Sequence, residues 1–277
     1  MHWPVHDKTW LAQQLQRPQD WSRYPLLELL CQLLENLRSS DPVLRDQLSY
    51  TWIEQLFTSS ALSPEIVDQF IERVLNKEHL FYRIGEKDTD SVFMRAFAVL
   101  IIPLAMNWYE THDHLTPERI GTLHQALFTY IRQEQDWRGY ISHKGWAHAA
   151  AHSADALSAL GTSSLIRTEH LVAIVESIGY IAHVDTPLMH AEDDRLAMAA
   201  YLIMRTHDKT ATGSVIGSWL ASLRPDNPGK FVANSNTRHF LRSLYFRWHF
   251  DNPCSPWLFP IAEAVKRFDI FRIKSGF

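Results

Sequence analysis

Apolar residues in this chain return every three or four positions. Leu26, Leu29, Leu30, Leu33, Leu34 and Leu37 form one such stripe, and Ile66, Phe70, Ile71, Val74 and Leu75 form another. That period lets an α-helix turn a single face toward a core, whereas a strand alternates faces at every residue and would scatter the same side chains. The punctuation agrees. Asp41-Pro42, Ser63-Pro64-Glu65, Thr116-Pro117-Glu118 and Ser255-Pro256 each set a capping side chain before a proline suited to the first helical position. Further starts are expected near Pro25, Ser91, Lys144, Thr168, Glu192, Thr212 and Asn236. No Asn-Gly or Asp-Gly turn joins alternating apolar runs, so strands are disfavoured throughout.

The chain is therefore expected to be all-α, with about eleven helices joined by short connections. Taken in pairs, they begin near Pro25, Pro64, Pro117, Thr168 and Thr212, loosely at the roughly 40 to 47 residues of HEAT and armadillo arrays. No residue signature repeats across the pairs, which leaves two architectures open: a HEAT/armadillo-like superhelix or an irregular helical bundle. No low-complexity tract divides residues 1–277, so one helical domain is expected, with 224–236 as the only extended loop.

With 46% hydrophobic residues and ten tryptophans, the chain has ample apolar surface to offset the entropy of ordering. A net charge of −4 gives no global attraction to nucleic acid or to an anionic membrane. Cys31 and Cys254 form no C-x-x-C unit, so neither a disulfide framework nor a thiolate metal site is indicated. Residues Met1 to Trp10 lack the apolar stretch of a secretory signal. The most apolar run, Ala96 to Met106, is interrupted by Pro103 and falls short of the ~20 residues of a membrane span. A cytoplasmic protein with no membrane partner is expected.

Chemistry-bearing residues concentrate in one stretch. Asp136-Trp137-Arg138-Gly139-Tyr140 is followed by Lys144-Gly145-Trp146-Ala147-His148 and by His152 and Asp155. At 100° per residue, His148, His152 and Asp155 fall within about 60° of one another on a helix. Two imidazoles and a carboxylate at this spacing suit a divalent metal with an open position, or acid–base work in which Asp155 orients a ring. Ala149 stands where a zinc protease of the H-E-x-x-H kind needs its glutamate, which removes that mechanism. The plainer reading is a solvent-facing stripe opposite Trp146, Leu157 and Leu160. Ala147, Ala151 and Ala154 argue for enclosure instead, since small residues let a second helix approach.

Two other clusters carry alternatives. Glu192-Asp193-Asp194 either complements a helix dipole or faces the histidines, supplying missing ligands or a salt bridge to Arg138. Arg238, Arg242, Tyr245 and His249, with Phe240, Phe246, Trp248 and Phe250 interleaved, form either a nucleic-acid stripe or an aromatic helix with a basic edge, and the second reading is favoured. No phosphate-binding glycine loop, dinucleotide turn or G-x-S-x-G elbow is present.

Arg138-Gly139-Tyr140, then Lys144-Gly145-Trp146-x-His148 with Ala151-His152 and Ala154-Asp155, then Glu192-Asp193-Asp194-Arg195-Leu196-Ala197, together with the upstream Arg95-Ala96-Phe97, resemble the bacterial domain-of-unknown-function family 2785 over about residues 60–210. The resemblance implies a helical domain and no established activity. Three functions stay open. The leading one is a polar pocket built from Arg138, Tyr140, Trp146, His148, His152, Asp155, Asp193 and Asp194 that binds a small ligand or a partner segment, Arg138 recognising an anion. The second is a metal-assisted hydrolase using His148, His152 and Asp155. The third is a helical nucleic-acid binder.

Overall fold

A computed structural model describes residues 4–16, 20–207, 213–225 and 229–269. It is all-α, with thirteen α-helical segments among the described residues and one two-residue hairpin. The segments are α1 (Lys8–Leu15), α2 (Leu26–Asn36), α3 (Thr51–Thr58), α4 (Pro64–Val74), α5 (Ser91–Val99), α6 (Ile101–Thr111), α7 (Pro117–Gln133), α8 (Ala149–Gly161), α9 (Thr168–Ile181), α10 (Glu192–His207), α11 (Gly213–Ser222), α12 (Phe231–Asp251) and α13 (Leu258–Arg267). A π-helical stretch, Val43–Tyr50, leads directly into α3. Two segments exceed the expected set. One is α1, which Asp7 caps through the amides of Thr9 and Trp10, and the other is α6, which a break at Leu100 separates from α5.

Alternate helices pack side by side. Contacts run α2 to α4 to α6 to α8 to α10 to α12 in one row, and α7 to α9 to α11 to α13 in the other. The apolar stripes of both rows meet in one core that runs from Val5 to Phe268. At the N-terminal end Trp10 stacks on Trp52 and Trp21 meets it edge-on, both with ring centroids 5.7 Å apart, which ties the first helix down.

The expected caps at Ser63 and Thr116 hold, with Oγ atoms accepting the amides of Ile66 and Arg119. Three other expectations need correction. The apolar run is interrupted at Leu100, three residues ahead of Pro103, which itself falls in the first turn of α6, where a missing N–H is tolerated, so the correction concerns its length. Together α5 and α6 make a 21-residue apolar stretch long enough to cross a membrane, yet 78% of its apolar window is buried in this fold, as in a core helix. At Asn236 no helix begins. Instead α12 starts at Phe231, which shortens the expected 224–236 loop, of which 226–228 lie outside the described residues. Asn236 is buried, accepting from the Leu188 amide and donating to the carbonyls of Val184 and Thr186, so it staples the segment that enters α10. The expected start at Thr212 also lies outside the described residues, with α11 beginning at Gly213.

The third correction concerns residues 140–148. Tyr140–Ile141 (β1) pairs antiparallel with Gly145–Trp146 (β2), and the ladder continues as Ala147 and His148 donate to the carbonyls of Gly139 and Arg138 at 2.9 and 3.1 Å. The helix therefore starts at Ala149 rather than Lys144, and Trp146 belongs to the hairpin instead of to a helix face. Gly145 makes the turn possible with φ of +79°, and a Cβ there would come 2.7 Å from Pro42.

Candidate functional site

A chain of buried charge holds the hairpin in place. Arg95 and Glu134, both fully buried, form a two-toothed ion pair at 2.6 and 2.8 Å. Glu134 also accepts the amides of Gln135 and Asp136. Asp136, equally buried, takes Arg138 through both carboxylate oxygens at 2.7 and 2.6 Å, and Arg138 in turn donates to the Thr89 carbonyl. On the other side, fully buried Arg45 reaches from the π-helical stretch to the carbonyls of Lys144 and Trp146 at 2.8 and 3.3 Å, with its guanidinium 4.0 Å over the Phe93 ring. Each charge is paired and hydrogen-bonded, which is what keeping it out of water demands.

What this scaffold positions is His148. It precedes α8 in the left-handed region, φ 50° and ψ 31°, with no side-chain cap. Trp146 stacks on its ring at 4.1 Å. Beneath it lies the carboxylate of Glu192, 1% exposed, with Oε1 3.3 Å from His148 Nδ1. The two atoms are close and sealed from water but not aligned as a hydrogen bond. Burial pushes the Glu192 carboxyl up, yet the His148 ring and the backbone amides around Glu192, including His190 N–H at 2.7 Å, prevail and hold it below the usual carboxylate range. Ala191, the residue before α10, is also left-handed, with φ of 64°. Gly139 lets this arrangement close, since a Cβ there would lie 2.2 Å from Glu192 Oε1 and 2.5 Å from His190 Nδ1.

His152, one turn into α8, is 7% exposed and donates from Nδ1 to the Ala96 carbonyl at 3.0 Å. Burial, reinforced by the neighbouring His148, lowers its pKa to about 3, so the ring is neutral in ordinary buffers. Asp155 holds Arg195 of α10 with both oxygens, at 3.0 and 2.7 Å. His148, His152, Asp155, His190, Asp194 and Arg195 all line one cleft of about 720 Å³, completed by Tyr50, Glu54, Leu100, Pro103, Leu104, Ala151, Ala191, Met198 and Arg247.

The expected residues thus divide. His148, His152, Asp155 and Asp194 share the cleft, and Trp146 backs it by stacking on His148. Tyr140 stands at the hairpin rim, half exposed, with its ring edge toward Trp146 at 4.9 Å. Asp193 faces away and accepts from Ser243 of α12, and burial beside Asp194 raises its pKa. Arg138 does not line the cleft: Asp136 and the Thr89 carbonyl take its Nε and Nη2, and it makes no bridge to the Glu192 turn. His148, His152 and Asp155 form no ligand set: both Asp155 oxygens hold Arg195, and no group of three or more His, Cys, Asp or Glu among the described residues could hold a metal. Spacing alone missed Tyr50, Glu54, Arg45 and Arg247, which arrive from distant segments. Glu192 and His190 were visible in the sequence, but nothing there distinguished the buried carboxylate from an ordinary first-turn acid.

The fold and site define an all-α helical protein with a polar cleft on one row of helices, between α8 and α10. The chain belongs to the family described as "Protein of unknown function (DUF2785)", whose model matches residues 80–246. The match begins later and ends later than the 60–210 expected, so it takes in most of α12 and leaves Arg45, Tyr50 and Glu54 outside. No curated protein and no solved structure matches the chain.

Proposed function

We propose that this protein is a cytoplasmic, HEAT-like helical array that binds a small polar ligand in the cleft between α8 and α10, with His148 as the group that meets it. The observation that carries the reading is the backbone of His148. A non-glycine residue in the left-handed region costs roughly 1–2 kcal/mol, and such strain persists where the surroundings impose it, which happens most often at functional sites. Here the hairpin ladder, the Trp146 stack and the buried Glu192 impose it on a ring that lines a cleft. The alternation of helices in two rows supports the array reading.

A fragment library read by thermal shift tests this with wild type, His148→Ala and Thr116→Ala. Thr116→Ala removes a remote cap and is expected to lower the melting temperature while keeping every hit. His148→Ala is expected to lose the hits. Hits that stabilise all three proteins equally, or no hits at all, contradict the proposal.

A further inference from the structure

We propose that the outer face of α12, with the groove it forms against α10, docks an acidic protein segment whose carboxylates meet Arg238, Arg242 and Arg247 and whose apolar side chains rest on Phe246 and Phe250. This surface does not depend on the reading of His148.

The first ground is where the unpartnered arginines lie. Elsewhere among the described residues each arginine donates to an acceptor, pairs with a carboxylate or lies over a ring. Arg238, Arg242 and Arg247 do none of these, and all three belong to α12. Arg242 is exposed, whereas Arg238 and Arg247 are half-buried, with Nε atoms sealed from water and without an acceptor. Arg45 and Arg95 offset the same loss of water with carboxylates and carbonyls. A guanidinium left open is a planar fork that fits a carboxylate through two parallel hydrogen bonds.

The second ground is the apolar surface beside them. Into the core α12 turns Phe240, Leu241, Leu244 and Trp248, and it packs chiefly against α10 and α13. Its other face carries Phe246, 51% exposed, and Phe250, 79% exposed. Spaced by four, Arg238, Arg242, Phe246 and Phe250 fall within about 120° of one another on the helix. Both rings, with Arg242 and Arg247, line a groove of about 840 Å³ whose opposite wall includes Asp194 and Tyr201 of α10. Exposed aromatic rings beside arginines are the composition that protein interfaces concentrate at their centres.

The charge pattern sets the kind of partner. Asp194 and Asp251 line the same groove, and the Tyr201 hydroxyl engages Asp251. A continuous row of phosphates would run against these carboxylates. A protein segment can set its acidic side chains opposite the arginines and neutral ones opposite Asp194 and Asp251. Phe246 and Phe250 also stack on each other, with centroids 5.9 Å apart, so they leave no slot between them for a nucleobase. A net charge of −4 adds no wider attraction to nucleic acid.

Panning a random dodecapeptide display library on the immobilised full chain tests the class, with one enriched peptide then titrated by fluorescence anisotropy. Enriched sequences are expected to combine acidic residues with leucine or aromatic residues, and added salt should weaken the chosen peptide. Arg242→Glu should weaken it by about tenfold or more, the margin of a hydrogen bond that carries charge. Phe250→Ser should weaken it several-fold, and it serves should Arg242→Glu fail to fold. His148→Ala should bind the peptide as wild type does. No enrichment, enriched sequences without acidic residues, or a peptide that neither variant weakens overturns the proposal. So does oligouridylate, or a phosphatidylserine vesicle, that binds more tightly than the peptide and is lost in Arg242→Glu, which would assign the face to nucleic acid or to a membrane.

Discussion

Two pairs of helix starts in this molecule are built on opposite principles. At α4 and α7 the chain supplies its own start: Ser63 and Thr116 accept amides from the first turn, and Pro64 and Pro117 preset the backbone. At α8 and α10 the preceding residues, His148 and Ala191, are left-handed, with no side-chain cap at His148. Their conformation is imposed from elsewhere in the fold, by the hairpin, by Arg45 from residues far upstream, and by the chain of buried charge from Arg95 to Arg138. The self-sufficient starts lie away from the cleft, and the imposed ones frame it. Local energy minima build the frame here, while the candidate site sits where tertiary structure overrides them.

The comparison can be broken first at its support. Arg95→Met should leave Glu134 as an uncompensated buried charge and destabilise the protein by about 3–5 kcal/mol in urea unfolding, with loss of fragment binding at concentrations of urea that wild type survives. A loss under about 1 kcal/mol, as for an exposed pair, would show that the hairpin is not held from below. Next comes the closest approach. Gly139→Ala should cost about 1–3 kcal/mol as an overpacking change, because its methyl would occupy the space of the Glu192 carboxylate. A neutral Gly139→Ala would place Glu192 elsewhere.

Acidity probes the same interior. The His152 ring titrates near 3 in the fold against 6.5 when free, so the unfolded chain binds the extra proton throughout that window. Stability is therefore complete above about pH 6.5 and falls as pH drops toward 3, with a slope of up to about 1.4 kcal/mol per pH unit from this one group. His124, lowered by burial to about 4, adds to the same decline. His152→Phe should flatten the profile between pH 4 and 6, and an unchanged slope there would show that His152 is neither buried nor neutral. The smallest effects separate the two kinds of start directly. Thr116→Ala should cost about 1 kcal/mol, whereas Ala191→Gly, which removes a steric penalty and adds chain entropy, should change stability by less than about 1 kcal/mol. A larger loss at Ala191 would mean that its methyl, not its backbone, is what the structure uses.

Most of the fold was legible in the residues because helices whose start, stripe and end are local need no partner to be recognised. Ser91, Thr168 and Glu192 begin helices as expected, and the stripes of α2 and α4 point inward. Errors fell where a side chain served something distant. Asn236 resembled a cap and is instead a staple on residues 184–188, and Lys144 resembled a helix start while its carbonyl accepts from Arg45. The site was half legible for the same reason. His148, His152 and Asp155 share the cleft although His148 lies outside the helix on which the spacing argument placed it, and their partners, Glu192, Ala96 and Arg195, decide what each ring and carboxylate can do. Those pairings join residues tens of positions apart, and no periodicity records them.

The central claim is that ligands enter between α8 and α10 beside His148. Its most direct test is a methyl spectrum of protein labelled at alanine and methionine, titrated with fragment pools. Shifts at Ala151, Ala191 and Met198 that vanish in His148→Ala are the predicted result. Ligand-induced shifts at methyls remote from the cleft, with Ala151, Ala191 and Met198 unmoved, would contradict it.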